Sequence, residues 1–238
     1  MNTVVDIVII ITMICGVFLG MRKGLIKSVV NLVGLVLVFV ISFSLKTSIA
    51  NIMIDNLPFF DFDGLSALSI LVYNVIAFMI VFTVLYSILR IVLVITGIVD
   101  ALLKLTVIWI IPSKIGGAIV GFFEALVLVF LALFIMTQFN QTNNLIKDNK
   151  MANTILNKMP VLSGHVTEIR DAASEIYEKI NEYDKDDQKS KEDLNLYILQ
   201  TEVKYKLISK EKAKELIETG KLDVKNAILG KVQEWLNP

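Results

Sequence analysis

The sequence predicts an all-α, polytopic helical membrane protein: four transmembrane helices plus an interfacial helix segment, followed by a small C-terminal helical soluble region. Two observations carry this. Apolar runs at 4–19, 25–45, 68–89 and 115–136 reach or approach the length needed to cross a bilayer, about 20 predominantly apolar residues. Beyond Thr137 the composition then turns abruptly to charged helix formers. Of 23 Lys and Arg and 23 Asp and Glu in 238 residues, seven basic and six acidic residues fall at or before Thr137, which leaves sixteen and seventeen after it. Net neutrality is therefore an average over two unlike halves, and no basic excess points to nucleic acid. The organisation expected is a transmembrane domain over 1–137, a linker over 138–160 and a helical C-terminal region over 161–238.

The first run opens with Met1, Asn2, Thr3 and Asp6, and its positive charges, Arg22 and Lys23, follow it. A signal peptide has the reverse order, so the run reads as an uncleaved anchor. Cys15, the single cysteine, lies inside it, which excludes an intrachain disulfide and a cysteine metal cluster. Basic residues in short loops are retained in the cytoplasm, so Arg22, Lys23 and Lys27 set the first turn inside. The connection from Lys46 to Gly64 has one lysine against Asp55, Asp61 and Asp63 and reads as outside. Its Pro58, Phe59, Phe60 and Phe62 suit the headgroup level, with a docking lip for an extracellular partner as the alternative.

Arg90, Lys104 and Lys114 mark the third connection as inside, so four spans put both termini outside. Residues 91–111 are apolar enough to count as a fifth span, which would move the tail to the cytoplasm. Against that, Leu89-Arg90-Ile91 contains no turn residue, and Asp100 and Lys104 would lie near the span's centre at considerable cost. The preferred reading is one long helix that leaves the membrane or bends along its inner surface at Gly97. Trp109 then serves as an interfacial anchor and Pro112 as a helix stop.

Within the spans, Gly16, Gly20 and Gly24 recur at four-residue spacing, and Gly117, Gly121 and Ala125 repeat the pattern in the fourth run. Lipid provides no hydrophobic drive between helices, so small residues promote association by letting backbones approach. Both stripes read as helix-packing faces, with self-association into a homo-oligomer as the functional variant. Glu124 lies nine residues after Ile115, roughly 13 Å into a core about 30 Å thick, where a charge costs on the order of 3 kcal/mol. It is expected to be protonated, paired or facing a wet cavity. Arg90 is the candidate partner, and Asn31 and Asn74 are further intramembrane polar candidates. A proton or ion pathway is the functional reading of these residues, and a satisfied structural contact is the plainer one.

In the tail, Ile169, Ala172, Ala173, Ile176 and Ile180 form one stripe of an amphipathic helix over 166–183. Ser190 with Asp193 resembles a capping box for a helix through about Ile208. Ser209 caps a further short helix that Gly220 ends, and Asp223 caps a last one. Such faces must be buried on each other, on the bilayer or on a partner, and an envelope protein is the candidate partner. Enzymatic chemistry is not expected: His165 is the single histidine and reads as a solvated turn or helix start, no Ser-His-Asp constellation can be assembled, and no glycine loop follows a strand. No cofactor or metal is expected either.

Asp6 at the head of the first run, Gly20-Met21-Arg22-Lys23-Gly24-Leu25-Ile26 at the turn, and Pro112-Ser113-Lys114-Ile115-Gly116-Gly117-Ala118-Ile119-Val120-Gly121 form a recognisable series. Over about 6–137 the chain resembles the colicin V production protein family, CvpA. The resemblance implies a multi-pass protein of the bacterial inner membrane that supports colicin V or bacteriocin-type toxin production or secretion and envelope homeostasis. It supplies no catalytic residues. The tail has no counterpart in the short family members.

Overall fold

The computed structural model describes residues 3–95, 110–183 and 188–222, and all its regular elements there are helices. Four are long and apolar enough to cross a membrane. Helix α1 spans Thr3–Lys23, with Asp6 in its first turn and Arg22 and Lys23 in its last, charges that complement the helix dipole at both ends. Gly24 stops it in a left-handed conformation, φ +80°, with its N–H donating to Gly20 O at 2.9 Å. The chain then enters α2, Leu25–Asn56, directly. At 32 residues this helix is about 48 Å long and outruns a core of about 30 Å.

Helix α3, Leu68–Ile95, runs unbroken through Leu89-Arg90-Ile91, which a chain without a turn residue there should do. The expected bend at Gly97, the charges Asp100 and Lys104 and the anchor Trp109 lie outside the described residues. Helix α4 spans Ile110–Thr137. Pro112 therefore sits in a first turn, where its missing N–H has no intrahelical partner to lose. It opens this helix rather than stopping the one before. Val4, Val8 and Phe18 on α1, Leu37 on α2, Val84 on α3 and Ile119 on α4 are all more than half exposed, an apolar surface that only lipid or another protein can cover.

Backbone contacts divide the chain into two compact units. The first takes in Met1–Ser44, Met79–Met136 and Gln141–His165. Phe39 and Phe130, both fully buried, meet edge to face at 5.9 Å, and Phe43 adds rings from Phe134 at 6.3 Å and His165 at 6.1 Å. His165 is thus half-buried against an aromatic rather than solvated. The stretch 138–160, expected as a linker, instead carries two helices, α5 (Asn140–Lys147) and α6 (Lys150–Lys158). Asn149 caps α6 by accepting from the Ala152 N–H at 2.8 Å, and its Nδ2 donates to Asp6 Oδ1 at 2.8 Å, so α6 is bonded to the first turn of α1. Ala152 and Leu156 are buried. The membrane unit thereby extends well past the expected boundary at Thr137.

The second unit takes in Leu45–Phe78, Thr137–Asn140 and Val166–Pro238. Helix α7, Leu162–Glu182, buries Val166, Ile169, Ala172, Ala173 and Ile176, while Ile180 at the end of the expected stripe is half-exposed. Helix α8 begins at Gln188, so Ser190 lies inside its first turn and not at its cap. It ends at Lys204, short of Ile208, where Lys206 takes a positive φ of 57°. Ser209 caps α9, Lys210–Glu218, by accepting from the Lys212 N–H at 3.1 Å, and Gly220 at φ +70° ends it. The expected cap Asp223 lies outside the described residues.

The loop between α2 and α3 belongs to this unit and is stitched into the tail. Asn195 on α8 accepts from the Ala67 N–H at 3.1 Å and donates to Gly64 O at 2.6 Å, so one buried amide satisfies two loop backbone groups. Lys191 reaches Asp63 at 3.4 Å, Lys212 pairs with Asp55, and Lys221 donates to Ile54 O at 2.7 Å. Phe59 and Phe60 pack on Tyr73 at 6.1 and 5.6 Å. Asn195→Ala leaves a loop N–H and C=O unpaired and is expected to destabilise this unit by about 1–3 kcal/mol, read as a lower thermal midpoint in detergent and faster proteolysis between Asp61 and Ala67.

Candidate functional site

Helices α1 and α4 run antiparallel, and glycine lets their backbones touch. A Cβ placed on Gly16 would lie 2.7 Å from Gly121 O, one on Gly20 2.7 Å from Gly121 Cα, one on Gly117 2.8 Å from the carbonyl carbon of Gly24, and one on Gly121 2.7 Å from Gly20 Cα. The two glycine stripes therefore pack on each other within one chain. Gly24 contributes differently from its sequence partners, because it leaves the helix and forms the turn. Its neighbour Leu25 donates its N–H to Ser113 Oγ at 3.3 Å.

This approach brings together two charges that the sequence does not pair. Lys23 Nζ donates to both carboxylate oxygens of Glu124, at 2.9 and 3.1 Å. The geometry follows from helix sterics: Cα–Cβ bonds tilt toward each helix's N-terminus, so on antiparallel helices the side chains of Lys23 and Glu124 lean toward each other. Only 15% of the Glu124 side chain is exposed. Arg90, the expected partner, is elsewhere: it is exposed and its guanidinium lies 6.0 Å from the Tyr86 ring centre. Arg22 and Lys27 are exposed, consistent with aqueous or headgroup contact at the turn. Asn31 is half-buried on α2. Asn74 belongs to the second unit, where its Nδ2 donates to Ile70 O at 2.9 Å and Leu207 O at 3.2 Å. Of the polar residues singled out from the sequence, Asn31, Arg90 and Glu124 fall in the first unit and Asn74 in the second.

The second unit holds groups that the sequence reading missed. Glu202 on α8 has no accessible surface, and neither of its carboxylate oxygens is hydrogen-bonded. Burial drives its pKa well above the ordinary 4.5, and a weaker favourable influence of the Leu71 main chain offsets only part of this. Tyr177 lies close by, donates its O–H to Gln138 O, and is pushed up to about 12 by burial and, second, by Glu202. Helical spacing held the clue: Asn195, Ile198, Leu199 and Glu202 fall at i, i+3, i+4 and i+7, and all four are buried. At the surface, Glu175 accepts from Lys204 at 2.7 Å, Tyr205 at 2.9 Å and Tyr197 at 3.1 Å, and Lys204 above all holds its carboxyl below the ordinary value. No group of three or more metal-ligating side chains occurs among the described residues.

Four apolar helices, a buried glycine crossing and an internal ion pair define a polytopic helical membrane protein. Residues 5–160 match the Colicin V production protein family. The chain belongs to that family. It is also similar to an uncharacterized transmembrane protein, YshB, of Bacillus subtilis (strain 168): 28% identical over 181 residues, covering 69% of this chain and 96% of that protein. No solved structure matches.

Gly20→Ala forces a methyl against backbone that cannot yield and is expected to cost about 1–3 kcal/mol or more. Gly164→Ala has open space in a helix and should gain about 0.5–1 kcal/mol. Thermal unfolding of the two variants in detergent should therefore move in opposite directions. For Glu202 the raised folded-state pKa favours the neutral form, so its stabilising effect is complete below about pH 4.5 and is lost as pH rises. Tail stability should fall as pH rises above about 4.5, the ordinary value, at up to about 1.4 kcal/mol per unit. Glu202→Gln should flatten that contribution in denaturation curves taken across this range.

Proposed function

We propose that this colicin V production family member is a non-enzymatic scaffold of the bacterial cytoplasmic membrane, supporting colicin V or bacteriocin-type toxin production or secretion and envelope homeostasis. The observation that carries this reading is the closed Lys23–Glu124 pair against the glycine crossing. Intramembrane charge is here spent on joining α1 to α4, and backbone packed on backbone leaves no room between them at Gly16, Gly20, Gly117 and Gly121. Because the glycine stripes cover each other, assembly with further copies or envelope partners falls to other surfaces, and the tail offers one. Its exposed side includes the Glu175, Lys204 and Tyr205 cluster.

The tail is extracytoplasmic in this reading. Support comes from Asn195, whose hydrogen bonds tie the tail to the loop between α2 and α3. Loop and tail then share one side of the membrane, so an even number of crossings separates them. Helices α3 and α4 provide two. Arg22, Lys23 and Lys27 at the opposite end of α1 favour the cytoplasm for that end.

A small transporter or channel is the competing reading, and Glu124 is its mainstay. Its charge partner in that case is Lys23 rather than Arg90. In proteoliposomes the scaffold reading predicts no proton or ion flux above protein-free vesicles, with Glu124→Gln unchanged; a leak abolished by Glu124→Gln would sink it. With Cys15→Ser as background, a cysteine at Asn181 should react with a membrane-impermeant maleimide in intact cells. Labelling only after lysis would reverse the orientation.

A further inference from the structure

Helices α5 and α6 show an amphipathic face that the membrane unit does not use internally. At 100° per residue, Ala152 and Leu156 form the buried stripe of α6, and Met151, Ile155 and Met159 continue the apolar arc round one flank. Met151 is 38% exposed, and Ile155 and Met159 are half-buried. Asn153, Asn157 and Lys150 occupy the opposite flank, while exposed Lys158 borders the apolar one. On either side, Leu145 at the end of α5 and Val161 after α6 are 45% and 63% exposed.

Val161 is the unusual residue. It is the centre of a three-residue turn closed by the Leu162 N–H on Pro160 O at 2.7 Å, with φ +66°. A β-branched residue in that conformation is strained, and here the strained backbone presents a side chain that is 63% exposed. The occupant is indicated by position. The Asn149–Asp6 hydrogen bond holds α6 at the first turn of α1, the helix whose Val4, Val8 and Ile11 are exposed as a lipid-facing surface. The apolar flank of α6 is therefore level with the end of a membrane span. Around it lie Lys147, Lys150 and Lys158, all exposed, against a single exposed Asp148. Lysines at such a level extend their stems along apolar surface and their ammonium groups toward phosphate.

We propose that α5 and α6 form an interfacial collar, laying Leu145, Met151 and Val161 into the headgroup and acyl boundary of the leaflet at the N-terminal end of α1, with Lys158 reaching the phosphates of anionic lipids. The membrane unit is then gripped from two directions, by spans that cross the bilayer and by a short element that lies in its surface.

The test uses the full chain with Cys15→Ser in nanodiscs of phosphatidylcholine and phosphatidylglycerol. Spin labels are placed one at a time at Met151→Cys and Val161→Cys, with Asn157→Cys as the water-facing control, and collision with oxygen is compared with collision with a water-soluble nickel chelate. The labels at 151 and 161 should favour oxygen several-fold more than the label at 157. Lys158→Glu should reduce that preference in discs containing phosphatidylglycerol and leave it unchanged in pure phosphatidylcholine discs. Nickel access at 151 and 161 equal to that at 157 would overturn the collar. Protection from both reagents would also overturn it, in favour of a protein cover, and label-to-label broadening would identify that cover as a second copy. An unchanged oxygen preference in the lysine variant would remove the anionic-lipid part.

Discussion

The first unit depends on one close approach, the contact of the α1 and α4 backbones through glycine. A side chain at Gly20 or Gly117 would meet main-chain atoms of the facing helix, and main chain cannot move aside as a side chain can. In lipid, where apolar side chains gain little by leaving their surroundings, such contact gives two helices a specific reason to pair. The Lys23–Glu124 bridge follows from it. At a wider spacing the two side chains, leaning toward each other from antiparallel helices, would fall short, and Glu124 would remain a charge near mid-membrane without a partner. The glycine stripe and the ion pair are therefore one device: the first sets the distance that the second requires.

The second unit is organised by polar satisfaction. A loop between two membrane helices carries backbone groups that water would ordinarily serve, and Asn195 serves them from the tail. Further bonds from Lys212 and Lys221 to Asp55 and Ile54 join the tail to the last turn of α2, just before that loop. Against this background Glu202 is anomalous, since it brings a carboxyl into a fully buried position where the Leu71 main chain offsets only part of the cost of burial. Its neutral form is the one compatible with that site, which makes the proton a structural component of the tail.

The family match ends at residue 160, close to the end of α6 at Lys158. The family's domain in this chain is thus more than four spans: it includes the pair of short helices bonded back onto the first turn of α1. Everything after it, including α7, α8 and α9, lies beyond that match, and it is there that the chain carries its buried glutamate and its tyrosine-lined surface around Glu175.

Hydropathy, glycine spacing and caps are local properties, and local properties were readable without coordinates. The four spans, the glycine faces at 16, 20, 117 and 121, the buried stripe from Ile169 to Ile176 and the Ser209 cap each depend on residues within a few turns of one another. What depends on distant segments was not readable. Glu124 needed a cation, and Arg90 was the partner expected from the sequence; the register of two antiparallel helices brings Lys23 instead, 101 residues away. Asn149 and the residues around it look like a polar linker by composition, yet Asp6, 143 residues away, turns that segment into a docked helix pair. A sequence states which groups require partners. Only the packed structure decides which partners arrive, because that choice rests on distances of a few ångströms between segments that no sequence pattern relates.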